Sequence, residues 1–250
     1  MKRMPRVPIL SYHQVGPRPT GSRFALLHVT PSQLDQQLWA LRRLGMRGVS
    51  MSEGLSRLQS GPGRSPEVVL TFDDGYRNTL TAALPVLRRH GFKATCFLVS
   101  GLMGGHNAWD DGIGEGRTEL MTVEDVEAWL AAGMEIGSHS CTHPRLQMLD
   151  EPAAAAEIFE SRAALQKMFG VIVDHFAYPF GGFTPATIKL VRRCGYVSAV
   201  TTQPGTARGD DAIYQLPRLL VDGERGLGRF LLQVGTPYED LRHGRGLFAG

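Results

Sequence analysis

Long apolar runs are what this chain of 250 residues most clearly lacks. No stretch approaches the roughly 20 apolar residues that a membrane-spanning helix needs, which excludes an integral helical membrane protein and leaves only peripheral contact with a bilayer. The basic residues Lys2, Arg3 and Arg6 are followed by no apolar signal-type segment, and Ile9-Leu10 has only the length of a strand. A secretory signal is therefore not expected, and a soluble, cytoplasmic protein is. Cysteine is scarce: Cys96, Cys141 and Cys194 make an odd count of 3 in unrelated contexts, which argues against a disulfide framework. A strong excess of one charge is missing too. With 27 Lys and Arg against 24 Asp and Glu, the net charge of +3 is too small and too dispersed to indicate a nucleic-acid partner. The pairs Arg42-Arg43, Arg88-Arg89 and Arg192-Arg193 fall near expected helix C-termini, where positive charge favours the helix dipole. No internal repeat or low-complexity stretch interrupts the chain. One domain over 5–240, followed by a flexible polar tail over 241–250, is the expected organisation.

What is present is an alternation of apolar strand-like runs with helix-like segments. Strands are expected near 7–12, 47–50, 68–72, 94–99, 134–138, 175–178, 197–201 and 216–221. Helices between them carry their own punctuation. Thr30 before Pro31 reads as a cap with a first-turn proline, and Gly45 stops that helix. Thr122 with Asp125 resembles a capping box, and Gly133 closes the helix it opens. Asp150 caps a helix ending before Gly170, and Pro185 opens one ending at Gly195. Such alternation means an α/β protein with a parallel sheet and crossover helices, and about eight strands in this length suggest a closed or nearly closed barrel. The Gly-rich segment 101–119 has no periodicity and holds Trp109, Asp110 and Asp111. In a β/α barrel such a loop belongs to the C-terminal face, where ligands bind.

The chemistry concentrates in two places. Thr71-Phe72-Asp73-Asp74-Gly75 puts two adjacent carboxylates at the end of an apolar strand, and Gly75 turns the chain after them. Paired acids at the rim of a sheet repel unless a cation or shared proton relieves them. His139-Ser140-Cys141-Thr142-His143-Pro144 follows another strand-like run. The His-x-x-x-His spacing sets both imidazoles on one side of a single helical turn, and Pro144 restricts this to one turn or a loop. Two imidazoles and a carboxylate suit zinc and leave a coordination position open for water, so the chain reads as a metal hydrolase. Cys141 is not needed in that set.

These residues resemble those of the NodB-type polysaccharide deacetylases, carbohydrate esterase family 4. The first family motif, T-F-D-D-G, is matched in full by 71–75, and the second, H-[S/T]-x-x-H-P, by His139, Ser140, His143 and Pro144. The third, R-x-P-[Y/F]-G, is matched by Pro179, Phe180 and Gly181, with Ala177 where the arginine belongs. The resemblance implies a distorted (β/α) barrel and a divalent metal, usually zinc, held by Asp74, His139 and His143, with Asp73 as general base. The backbone N–H of Phe180 would help to hold the tetrahedral oxyanion, and Gly181-Gly182 would let that backbone approach closely.

The chain also departs from the family. Ala177 cannot supply the motif's positive charge, and Arg218, on a late strand, is the expected replacement because a guanidinium can hold a carboxylate in bidentate geometry. The fourth motif, D-x-x-D-W, is absent. The fifth, L-x-H, is matched only in letters by Leu241-Arg242-His243 within the polar tail. His13, at the end of the first strand and therefore beside the last strand of a closed barrel, is the expected general acid. His175 directly precedes the third motif and is expected to support the site, while His28, His90 and His106 have no partner pattern. The implied activity is metal-dependent removal of acetyl groups from N-acetylated sugars in a polysaccharide, a glycolipid or a precursor of either. Alternatives are another amide hydrolysis on the same fold, such as sugar deformylation or cyclic-ureide opening, and a carbohydrate-binding protein without catalysis. Nothing in the pattern sets an oligomeric state.

Overall fold

Continuous apolar runs such as Val68-Val69-Leu70 become strands buried on both faces, the signature of a parallel sheet covered by helices. A computed structural model describes residues 5–18, 24–61, 65–113 and 116–245. Eight strands carry the fold: β1 (Ile9–Tyr12), β2 (Arg47–Val49), β3 (Glu67–Phe72), β4 (Thr95–Leu98), β5 (Glu135–Ser138), β6 (His175–Ala177), β7 (Ser198–Pro204) and β8 (Leu216–Leu220). All the pairings among them are parallel. Seven of them close a ring in the order β1-β8-β7-β6-β5-β4-β3, which returns to β1. The eighth, β2, is a wedge. Val69 is paired with Ile9 on one edge and with Val49 on the other, and the Lys93 N–H donates to the Gly48 carbonyl at 3.0 Å. β2 thus enters between β3 and β4 at their N-terminal ends, and those two strands pair directly only above it.

The two faces of each strand separate two cores. Ile9, Val69, Phe97, Ala177, Val200 and Leu216 fill the inside of the barrel. Their sequence neighbours face outward and pack against helices through residues such as Leu38, Leu87, Trp129 and Ile158. Filling the ring requires a glycine at 137, because a Cβ there would lie 2.5 Å from the Phe97 ring. Burying each Leu or Phe side chain contributes roughly 1.5–3 kcal/mol, so both layers stabilise the ring.

The helices are α1 (Pro31–Arg43), α2 (Met51–Ser60), α3 (Leu84–His90), α4 (Val123–Ala131), α5 (Glu151–Phe169), α6 (Pro185–Cys194), α7 (Leu227–Gly235) and α8 (Tyr238–Arg242). Thr30, Thr122 and Asp150 cap their helices as expected, and Gly170 and Gly195 end α5 and α6 in left-handed conformation. The three arginine pairs lie in the last turns of α1, α3 and α6. No helix among the described residues is long and apolar enough to cross a membrane. The segment expected to form a tail starts within α8, and Arg245 pairs with Asp211 at 2.7 Å. Residues 246–250 of that segment, and Lys2 and Arg3 at the other end, lie outside the described residues.

Candidate active site

The C-terminal ends of the barrel strands set the site. The Asp73 N–H still donates to the Tyr12 carbonyl at 2.9 Å, which keeps Asp73 in line with β3. Asp74 then takes a left-handed conformation (φ 71°), followed by Gly75 at φ 74°. This turn parts the two carboxylates: Asp73 faces into the barrel, while Asp74 faces the histidines. After β5 the His139 N–H donates to Leu98 O at 2.8 Å, and Ser140 (φ 66°) and His143 (φ 63°) are both left-handed. The His143 N–H closes this loop on Ser140 Oγ at 3.1 Å. The two imidazoles therefore meet through a tight loop and not across one turn of helix; Pro144 and the left-handed residues exclude the helical path. Phe180, after β6, is also left-handed, at φ 56°. Asp74, Ser140, His143 and Phe180 are the only non-glycine residues with positive φ among those described, and all four surround one pocket or its supporting loop. Such conformations cost energy and persist where the surrounding structure over-determines them, typically at functional sites.

Asp74 Oδ1 lies 3.3 Å from His139 Nε2 and 3.3 Å from His143 Nε2. One donor atom from each of the three buried residues falls within 4.8 Å of the others, a span that one ion can bridge. The His139 Nδ1–H donates to the Ala177 carbonyl at 2.7 Å, which fixes the ring with Nε2 turned toward Asp74. Burial alone would raise the Asp74 carboxyl; the His139 and His143 donors outweigh it and hold the group well below the usual carboxylate range. An anionic oxygen and imidazole nitrogens so arranged are a donor set suited to zinc. His143 is clamped between the rings of Trp109, 4.4 Å away, and Phe180, 4.5 Å away.

Asp73 has a different partner. Arg218 Nη1 and Nη2 donate to its two oxygens at 2.7 Å each, while Nη1 also reaches Thr71 Oγ1 at 3.0 Å and Nε reaches the Thr201 carbonyl at 2.9 Å. The guanidinium comes from β8, two strands along the ring from Ala177 on β6. Burial alone would raise the Asp73 carboxyl, but the Arg218 charge and hydrogen bonds overcome it and leave the group below the usual range. His13 lines the same pocket with Nε2 at 3.8 Å from Asp73 Oδ2, and β1 does neighbour β8. His243 follows α8 and pairs with Glu239 at 3.4 Å, outside the pocket lining.

His175 is not where the sequence placed it. As the first residue of β6 it sits at the N-terminal end of the barrel, opposite the pocket, bonded to Ser198 Oγ at 2.8 Å and Ser52 Oγ at 2.9 Å. Strand polarity explains the difference, since the third motif follows the other end of the same strand. Cys141 stays out of the donor set, with its N–H on the Glu157 carboxylate at 2.8 Å. Tyr76 and Arg145 line the pocket without having been singled out in the sequence. Trp109 was noticed only as part of a loop, and its contact with His143 has no signal in a single sequence. The pocket has a volume of about 320 Å³.

Residues 60–199 match the polysaccharide deacetylase family. YxkH of Bacillus subtilis is 29% identical over 217 residues, covering 86% of this chain and 71% of its own length. The poly-beta-1,6-N-acetyl-D-glucosamine N-deacetylase of Staphylococcus epidermidis is 23% identical over 236 residues, covering 86% of this chain and 78% of its own. Among solved structures, the Streptococcus pyogenes deacetylase PplD in complex with acetate has the same fold, with a TM-score of 0.81 at 24% identity over 92% of this chain and 99% of that one.

Proposed function

This chain belongs to the polysaccharide deacetylase family, and from that membership we propose that it is a metal-dependent hydrolase removing acetyl groups from N-acetylated sugars of a glycan or glycan precursor. The observation that carries the reading is the division between the two acids of 71–75. Asp74 shares a 4.8 Å cluster with His139 and His143, while Asp73 is turned away onto Arg218. Names of relatives add support on the substrate side: the Staphylococcus epidermidis enzyme is named for a polymer of N-acetylglucosamine.

Asp74, His139 and His143 would hold a divalent ion, zinc by the chemistry of the set, which when bound supplies Lewis acidity toward water and an acetamide carbonyl. Asp73, kept ionised by Arg218, takes the proton of the attacking water at Oδ2, the oxygen that faces His13. The Phe180 N–H, one of the N-terminal donors of the turn Pro179–Gly181 that have no partner within it, donates to the oxyanion. As the carbon–nitrogen bond breaks, His13 Nε2 gives a proton to the leaving amine, so that acetate and a free amino sugar result. Trp109 and Phe180 hold the His143 ring between them.

The direct test is acetate release by zinc-loaded protein from N-acetylglucosamine oligomers, lipid-linked sugars and nucleotide sugars, alongside elemental analysis. Asp74→Ala, His139→Ala and His143→Ala should each lose metal and activity together while remaining folded. Full metal occupancy in all three variants, or no acetate from any substrate with metal bound, would sink the reading.

A further inference from the structure

The charges lining the pocket are unequally partnered. Asp73 is bound by Arg218, Asp74 lies against His139 and His143, and the Asp110 carboxylate accepts from Asn107 Nδ2 at 3.0 Å. Arg145 is the one arginine or lysine of the lining, and among the described residues its side chain meets no carboxylate. Its guanidinium instead lies over the Phe180 ring, 4.3 Å from the centroid, and that ring stands edge-on to His143 at 4.5 Å. The backbone beneath is fixed as well: Arg145 follows Pro144, and its carbonyl accepts from the Met148 N–H at 2.8 Å to close the turn Leu146–Met148.

A guanidinium stacked by its face keeps its N–H edge free, and that edge matches a carboxylate or phosphate in two parallel hydrogen bonds. A neutral acetamido sugar offers nothing of that kind. A fixed cation one ring away from His143 also raises the local concentration of anions at a mouth whose acids are already engaged. We propose that Arg145 is a specificity-determining residue that selects N-acetylated sugars bearing an anionic substituent, carboxylate or phosphate, close to the acetamide. The inference rests on the deacetylase reading for the acetamide and on Arg145 for the anion.

Affinity separates the two. The full chain carrying Asp73→Asn, which slows turnover, is titrated by calorimetry with four disaccharides. These are neutral di-N-acetylglucosamine, its 6-phosphate, an N-acetylglucosamine–N-acetylmuramic acid pair with a free lactyl carboxylate, and the methyl ester of that pair. At least one anionic ligand should bind about tenfold more tightly than its uncharged counterpart, the scale of a hydrogen bond to a charged group. Whichever of carboxylate and phosphate gives the larger gap identifies the natural substituent. Adding Arg145→Met should close the gap, Arg145→Lys should keep part of it, and salt should shrink it. Equal affinities for charged and uncharged ligands, or a gap that survives in Arg145→Met, overturn the proposal. If the metal-loaded chain with Asp73 intact releases acetate from none of the four and from none of the oligomers, lipid-linked sugars and nucleotide sugars, the hydrolytic reading fails, and the affinity gap still decides the role of Arg145.

Discussion

Arg218 and Asp73, 145 residues apart in sequence, face each other through two N–H···O bonds of 2.7 Å inside the barrel. Removing the guanidinium leaves a buried carboxylate without its cation. Asp73 then loses the charge that outweighs its burial, so its pKa rises and the ionised base is present only at higher pH. Arg218→Met should therefore move the acidic limb of the pH–rate profile upward and lower stability by roughly 3–5 kcal/mol. The profile and a urea titration check both. An acidic limb that stays in place in a folded, metal-bound variant refutes the role given to Arg218.

Asp73→Asn removes a proton acceptor and spares the three candidate ligands. Metal content should match the parent while turnover falls roughly 100-fold or more, the scale for losing a general base. Near-parental turnover would show that another group takes the proton.

His13→Gln probes the leaving group. Turnover of N-acetyl substrates should fall, because the departing amine needs a proton. An activated acetyl ester, whose leaving group needs none, should lose much less. Equal losses on amide and ester would assign His13 a structural part. Deleting the chain from Arg242 onward is the matching control: loss of amide turnover in that folded variant would transfer the acid role to His243.

His175 gives a prediction independent of catalysis. Burial holds its imidazole below the ordinary value, in spite of Glu135 and Asp174 nearby. The folded chain therefore takes up the proton less readily than the unfolded chain. Stability is unaffected above the unfolded value of about 6.5 and declines as pH falls below it toward the lowered folded value. Between about pH 7.5 and about pH 5.5, His175→Gln should lose less melting temperature than the parent. Parallel losses in both would mean that other groups set the acid sensitivity.

Much of this architecture could be read from single residues. Val68-Val69-Leu70 and its counterparts stand out because strands buried on both sides cannot alternate, and Thr30, Thr122 and Asp150 announce helices by giving an oxygen to free N–H groups. Arg218 was legible through the family resemblance, because Ala177 stands where the motif has its arginine and Arg218 lies on a late strand. The helix α2 went unread although Ser50 and Glu53 form the same capping box as at Thr30, and its apolar face is only ten residues long. The wedge position of β2 was beyond reach, because a three-residue strand does not reveal which neighbours it parts. Trp109 and Arg145 were missed as site residues because loop and turn contacts depend on how elements fold over one another. His175 was misplaced for a reason the sequence did contain, since the first residue of a parallel strand cannot share an end with the residues that follow its last.

The left-handed backbone at Asp74, Ser140, His143 and Phe180 bears on how this protein would respond to selection for heat resistance. Each such residue sits in a conformation that costs of order 1–3 kcal/mol, and glycine would adopt it freely. The positions where a substitution most readily relieves the backbone are thus two candidate ligands, the candidate oxyanion donor and the serine whose Oγ closes the His143 loop. A screen that rewards thermal survival alone would be drawn to the floor of the pocket, and there it would collect robust proteins that no longer work.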